Sequence, residues 1–508
     1  MRLNILIGGE AGQGINKISE IVSEILIDRG YYVFNYRDYP SLIRGGHNFN
    51  VLSISDKPIF STESKLDGIV SMDRLTLIKH KKFLKKEGFI IEPGKFVNLG
   101  INLNIALAGA LIRILGIERN FLMKRVKDEF NNKKSLNAAE KGFESEKFKY
   151  SLKKLKNKLI LKNGSESLSL GFIDSKADLY FAYPMTPATP VMHFLAEKQL
   201  ENDFMVFQPE NEIAVVNAAL GASFSGARVM VGTSGGGYDL MTETLSMQGM
   251  TEIPLVVYLA SRPGPGTGVP TYTSQGDLDI ALRGGHGEFP RIVIAPGTPL
   301  QARQKINEAF YLSEKFGILS VVLSDKHLGE SDFSFFPEKI NPLKIKVKRK
   351  VPGEAIVKAI SYESNSLNAT TEDAKVTKEN ADKRLLKYES IKKEIEKFES
   401  IKIYGKKNSK NLIIGWGSTT GAIIDAISNL DAKFLQILYL KPLSNEIRTE
   451  MQKAKNLILV ENNLTGQLGR IIREKTGIKI KNRILKYDGR PFESDLLKKE
   501  IEKCLKKN

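Results

Sequence analysis

Cysteine is nearly absent from this chain of 508 residues, in which Cys504 is the single one. One thiol can form no internal disulfide and cannot ligate an iron–sulfur cluster by itself, so a one-electron carrier working with this protein must have its ligands on another chain. Long apolar runs are missing too. No stretch is read as approaching the roughly 18 residues of a membrane span, and the opening run MRLNILIGG is too short for a secretory signal core. A cytoplasmic protein with no membrane partner is expected. The dinucleotide spacing G-x-G-x-x-G is also lacking, because Gly8, Gly9, Gly12 and Gly14 do not fit it. Short-period repeats and low-complexity segments are absent. The formal charge of +18 comes largely from Lys interleaved with Glu, as in KKEIEKFESIK, which reads as a solvated surface and not as a nucleic-acid footprint.

What is present is an α/β, multidomain pattern organised around residues 183–271. There, AYPMTPATP, QPENEIAVVNAALGASFSGARVMVGTSGGG and LASRPGPGTGVPT each join a strand-like run to Gly, Pro, Thr and Ser. Three such loops gather at one rim of a parallel sheet, where open α/β sheets bind ligands. Glu210 and Glu212 stand at the mouth of an Ala- and Gly-rich helix, and Arg262 follows the apolar run PLVVYLA. This combination of anion, cation and free backbone N–H groups suits a small charged organic substrate.

In chain order, residues 1–160 read as a first α/β domain. Its glycine loop GEAGQGI leads into a helix ending near Asp28, followed by the strand YYVFNY. Gly12 and Gly14 precede a helix N-terminus able to hold an anion, and RGGHNF sets Arg44 and His47 in one loop. Residues 161–340 form the core domain and 341–400 an irregular arm closing in a charged helix. A smaller parallel unit spans 401–508.

The phrases YPMTPATP, ENE, TSGGG, SRPGPGTGVPT and TSQGDLDIALRGGHGEFPRIVIAPG resemble the α subunit of the 2-oxoacid:ferredoxin oxidoreductases. GGEAGQGI and YPSLIRGGHNFNVLSISDKPI resemble that family's γ component, here fused ahead of α, and VENNLTGQLGRIIR with KYDGRPF resembles the α subunit's last domain. The resemblance implies a γ-type domain over 1–160, a thiamine-diphosphate-binding pyrimidine-type domain over 161–340, and a transketolase-C-like domain over 401–508. The implied reaction is CoA-dependent oxidative decarboxylation of a 2-oxoacid, with 2-oxoglutarate favoured, giving acyl-CoA and CO₂ with reduction of ferredoxin. An indolepyruvate or branched-chain enzyme and a non-catalytic assembly subunit are the alternatives. The positive charge would steer acidic CoA and ferredoxin.

Residue by residue, the resemblance makes Glu212 the carboxylate beside N1′ of the aminopyrimidine, favouring the 4′-imino form that removes the C2 proton. Glu210 is the second choice, and a Glu that only complements the helix dipole is the plain alternative. Arg262 would take the substrate carboxylate, Thr186 would donate to it or to the keto oxygen, and Thr271 would lie at the distal end. Arg44, Gly12 and Gly14 are candidates for CoA or another anion, with an interface role for Arg44 and His47 as the alternative. His286 is read as stabilising a neighbouring loop, with assistance to proton transfer as the alternative, and Tyr183 as packing. Ala188-Thr189-Pro190 departs from the family's pattern. Gly276-Asp277-Leu278 with Asn307 looks like the family's diphosphate and Mg²⁺ motif but reads as a decoy, since Leu278 would crowd a phosphate loop. No metal ligand is assigned to this chain. A β subunit is expected to hold Mg²⁺, the diphosphate and the 4Fe-4S cluster in a hetero-oligomer.

Overall fold

In a computed structural model the chain is described over residues 1–40, 46–347, 349–358 and 360–506, the Lys95 side chain excepted. Among these residues the contacts form two compact units. The first comprises Met1–Lys162, Ser331–Lys339 and Phe492–Leu497; the second comprises Asn163–Glu330, Ile340–Pro491 and Lys498–Asn508.

A seven-stranded sheet organises the first unit, in the order Leu84–Ile91, Leu66–Ser71, Arg2–Glu10, His47–Ser55, Tyr32–Asp38, Asp332–Phe335, Ile160–Asn163. The strand Arg2–Glu10 is buried along nearly its whole length. It pairs antiparallel with His47–Ser55 and parallel with Leu66–Ser71. The stretch Ser331–Lys339, read from sequence with the core domain, belongs here because Asp332 and Phe333 pair with Asn35 and Phe34. Asp332 also accepts from Asn35 and Arg37 at 2.9 and 2.8 Å. At the other end of the chain, Asp495 takes the Ser64 N–H and hydroxyl at 2.8 and 2.6 Å, which fastens Phe492–Leu497 to this unit.

One expectation about apolar runs needs correction. Phe96–Ile114, at 19 residues, is long and apolar enough to cross a membrane. It is nevertheless two segments broken at Gly100, whose φ of 55° and ψ of −123° are not helical. Its second part, Leu103–Ile114, buries Ile105, Leu107, Leu111 and Ile112 in the unit's core. The run reads as apolar because the helix is enclosed on most sides by protein.

The second unit holds two sheets. The larger has the order Tyr439–Lys441, Arg291–Ile294, Leu319–Asp325, Leu255–Ser261, Val229–Thr233, Leu179–Ala182, Met205–Phe207, and all but its first strand run parallel. Its central strands LVVYLAS, VMVGT and LSVVLSD are buried at every position. That is the composition of parallel strands covered on both faces. The smaller sheet has the order Ile401–Gly405, Lys433–Ile437, Asn411–Trp416, Asn456–Glu461, Asn482–Leu485. Residues 401–491 therefore share one unit with 163–330: Tyr439–Lys441 edges the larger sheet, and one apolar core runs from Leu259 and Val321 to Ile414 and Leu435. Among its described residues the arm has no strand, and it is fixed by Arg349, which pairs with Glu314 and donates to the carbonyls of Ser223, Gly226 and Ala227 at 2.7 Å each.

In the first unit, Leu103–Ile114 crosses Lys133–Glu144 so closely that a Cβ at Gly142 would stand 1.9 Å from the Ala106 carbonyl oxygen. Gly142→Ala is expected to cost about 1–3 kcal/mol, the usual penalty for overfilling a packed contact. Gly94→Ala, where nothing lies within 4 Å, should stay within about 0.5 kcal/mol of the parent. Denaturant melts of both variants check the pair, and equal midpoints would contradict the crossing.

Candidate active site

Parallel order puts the C-terminal ends of Leu179–Ala182, Val229–Thr233 and Leu255–Ser261 side by side, since these are neighbouring strands. Each ends in one of the loops singled out from sequence. From this rim the helices Thr189–Lys198 and Gly235–Thr251 start back along the sheet.

The helix Glu212–Phe224 is capped by Asn211, whose side chain accepts the Ala214 N–H at 2.9 Å. An Asn ahead of an apolar run is itself an N-cap signal. With the cap supplied by Asn211, the Glu212 carboxylate is released from capping. It turns inward instead: Glu212 is 5% exposed, and its Oε1 has no hydrogen-bond partner among the described residues. Glu210, two positions earlier, is exposed. Burial therefore separates the two carboxylates that sequence left as first and second choice.

Across from Glu212 lies the start of Gly235–Thr251. A Cβ on Gly237 would meet Glu212 Cγ at 2.8 Å and Oε1 at 2.9 Å, and Thr233 Oγ1 at 2.2 Å. Only glycine lets this carboxylate pack against the first turn of the helix. Ser234, at the N-cap, is fully buried; its hydroxyl makes no cap bond and has no partner among the described residues. Sequence reading quoted TSGGG without singling out this hydroxyl.

Arg262 is half-buried and donates from Nη1 to the Thr186 carbonyl oxygen at 2.8 Å, so the loops after two separate strands meet at this residue. Burial lowers its pKa, opposed by the nearby carboxylates of Asp277 and Glu212. Thr186 and Thr271 are both half-buried. Tyr183, expected to pack, is 39% exposed. His286 is exposed, and its backbone N–H donates to Ser246 Oγ at 2.9 Å.

The loop Thr271–Asp277 is held from below by the VENN turn. Gln275 donates to the Trp416 carbonyl at 2.7 Å and accepts the Asn462 N–H at 2.8 Å, while its own N–H reaches the Asn462 carbonyl at 2.7 Å. The turn is in turn fixed by Glu461, fully buried, which accepts from Trp416 Nε1, Asn463 Nδ2 and the Leu468 N–H at 2.9–3.0 Å. A cavity of about 390 Å³ opens beside this loop, lined among others by Pro263, Ser274, Asp277, Asn463 and Tyr487.

Asn307 has both ends of its amide engaged, donating to Ser175 Oγ at 3.1 Å and accepting the Leu343 N–H at 2.7 Å, and Leu278 is core. Among the described residues no group of three or more His, Cys, Asp or Glu side chains could hold a metal ion. In the first unit, Gly14 is left-handed at the N-terminus of Ile15–Asp28, and a cavity of about 220 Å³ is lined by Gly12, Gly14, Asn16, Asp38, Asn48 and Asn50. Arg44 lies outside the described residues.

Comparison with known proteins gives consistent matches. Residues 171–400 match the family described as pyruvate flavodoxin/ferredoxin oxidoreductase, thiamine diP-bdg, and residues 4–96 match pyruvate ferredoxin/flavodoxin oxidoreductase. The chain is 29% identical to a 2-oxoacid:ferredoxin oxidoreductase subunit alpha of Sulfolobus sp, over all of this chain and 97% of that one. Over 33% of this chain and 48% of the relative it is 37% identical to a 2-oxoglutarate synthase subunit KorA of Archaeoglobus fulgidus. Its fold matches the solved 2-oxoglutarate:ferredoxin oxidoreductase from Magnetococcus marinus with 2-oxoglutarate, coenzyme A and succinyl-CoA bound, at a TM-score of 0.90 and 24% identity over 99% of both chains. Two family matches in order along the chain, at residues 4–96 and 171–400, together with full-length relatives named as α subunits, establish that this chain belongs to the 2-oxoacid:ferredoxin oxidoreductase family.

Proposed function

We propose that the chain supplies the pyrimidine half of a thiamine-diphosphate site in an enzyme that converts 2-oxoglutarate and CoA to succinyl-CoA and CO₂ while reducing ferredoxin. The observation that carries this reading is the buried Glu212 carboxylate with its unpaired oxygen over Gly237. An orphaned buried acceptor beside a glycine-lined helix start fits the N1′ edge of an aminopyrimidine. When bound, thiamine diphosphate supplies the nucleophilic carbon and the electron sink of the reaction. Glu212 holds the proton at N1′. Arg262, braced on the Thr186 carbonyl, presents a guanidinium to the substrate carboxylate. Thr186 donates its hydroxyl to the same end of the substrate, and Thr271 faces the distal end.

A β subunit completes the site with the diphosphate-binding residues, Mg²⁺ and a 4Fe-4S cluster. Two features support the need for a partner: the single cysteine, and the apolar residues Ile213 and Leu240, each about half exposed, one on the helix that Glu212 begins and one on the helix across from it. The glycine loop with Gly12 and Gly14 is the proposed seat for a CoA phosphate, at the N-terminus of Ile15–Asp28, and Arg44 is a further candidate for CoA on the resemblance alone. We place the complex in the cytoplasm.

The purified chain alone is expected to be colourless and inactive, with viologen reduction only after a β subunit is added. Turnover by the isolated chain would refute the shared site. In the complex, Glu212→Gln should lower kcat by about 10²- to 10⁴-fold, the range for a positioned acid–base group, and weaken cofactor binding less. Glu210→Gln should be close to silent; the reverse pattern would move the role by two residues. For substrate choice, the measurement is a kcat/KM series over 2-oxoacids of increasing length. Thr271→Leu, which removes a donor and adds bulk, should lower the value for 2-oxoglutarate far more than for pyruvate. Arg262→Lys should lower all of them, because an ammonium cannot replace the guanidinium fork. Parallel losses for Thr271→Leu would remove it as the selectivity residue.

A further inference from the structure

We propose that Asp277, set aside in the sequence as part of a false diphosphate motif, is the positioning residue that aims Arg262 at the substrate carboxylate. This rests on the reading of Arg262 given above.

Asp277 occupies the N-cap position of the short helix Leu278–Arg283 yet makes no cap bond with its side chain. Its oxygens are engaged elsewhere. The Ser261 hydroxyl donates to Oδ2 at 2.7 Å, and the backbone N–H of Arg262, the next residue, is near enough to the same carboxylate to favour its ionised form. The carboxylate also sits where a side chain on Gly235 would be, 2.6–2.7 Å from an added Cβ. One carboxylate thus joins the last residue of strand Leu255–Ser261, the backbone of Arg262 and the first residue of helix Gly235–Thr251. Those are the parts that fix where the guanidinium emerges. The other anchor, the Thr186 carbonyl, holds Arg262 at its tip. Root and tip are therefore fixed separately, and Asp277 controls the root.

The arrangement carries an electrostatic cost. Burial raises the pKa of Asp277, and Asp239 adds to the rise; the Ser261 hydroxyl and Arg262 pull it down without reversing the direction. The fold then binds a proton at Asp277 more tightly than the unfolded chain does. That contribution favours the fold only below the unfolded carboxylate pKa and is lost as pH rises through the folded value, so at neutral pH the ionised group subtracts from stability. A neutral amide of the same shape relieves this while keeping one oxygen to accept hydrogen bonds.

The experiment uses the complex with its β subunit and compares the parent with Asp277→Asn, Asp277→Ala, Arg262→Ala and the double variant Asp277→Ala with Arg262→Ala. The readouts are KM for 2-oxoglutarate and pyruvate, KM for CoA, kcat and Tm. Asp277→Ala is expected to raise KM for both 2-oxoacids by roughly 10-fold or more, within the ~10²-fold that a 1 Å misplacement can cost, and to leave KM for CoA unchanged. Asp277→Asn should fall between parent and Asp277→Ala in KM, with a Tm no lower than the parent's. If Asp277 acts through Arg262, the double variant is no worse than Arg262→Ala. Losses that add in the double variant, or a fall in Tm for Asp277→Asn that tracks a uniform loss of activity, would overturn the proposal. An unchanged KM for 2-oxoacids in Asp277→Ala, beside a raised one in Arg262→Ala, would overturn it too. An unchanged KM in Arg262→Ala would instead overturn the carboxylate reading on which it rests.

Discussion

The rest of the second unit depends on keeping one carboxylate oxygen, Glu212 Oε1, buried without a partner. An unsatisfied buried acceptor costs about 1–3 kcal/mol, and more when it is charged. The surrounding elements hold it in place by leaving the side chain no route to solvent or to a cap. Asn211 takes the cap, Gly237 leaves the space, and the wholly buried strand Val229–Thr233 runs beneath. Such a group is tolerated because neighbouring structure over-determines it, and polar groups stranded in this way collect at functional sites.

The same constraint explains why residues far apart in the chain converge. A parallel sheet delivers its strand ends to one rim, but strand ends alone do not fix side chains to fractions of an ångström. Here the fixing is done by hydrogen bonds from outside the strands. Gln275, bound on three atoms to Trp416 and Asn462, secures the loop that carries Thr271 and Asp277. The C-terminal sheet, whose residues touch neither Glu212 nor Arg262 by any bond described above, acts as the support on which that loop rests. The VENN turn is thus tied to the rim through Gln275.

Much of this was legible because loops and strand ends announce themselves chemically. Gly, Pro and Thr after apolar runs marked the three loops and the rim of a parallel sheet at which they gather. What was not legible depends on where side chains turn. Glu210 and Glu212 are two residues apart and alike in composition, yet a helix start sends one to solvent and one into the core. Asp277 matched a motif by spacing, which drew attention to its sequence neighbours and away from Ser261 and Gly235, its neighbours in space. The strand Asp332–Phe335 has too few residues to show a period and follows directly on a helix of the other unit, so nothing in its composition revealed its sheet. Phe96–Ile114 shows the converse, a run whose apolar length was underrated because Gly100 and the polar residues Asn98, Asn102 and Asn104 interrupt it in the text, while in the fold it breaks at Gly100 and buries its second half.

The function proposed above gives the charges at the rim a consequence for partner binding. Arg262 stands near two carboxylates, Glu212 and Asp277, so the local balance is one positive group against two negative ones. An anionic substrate entering such a place gains from the guanidinium fork but also meets two like charges, and a low-dielectric surround strengthens both effects. A cationic or neutralising group brought by the cofactor and its partner subunit shifts that balance toward binding. On the proposed shared site, the electrostatics already present in this subunit would favour the assembled enzyme over the free chain, because the two carboxylates beside Arg262 oppose an anionic substrate until a positive group is brought in.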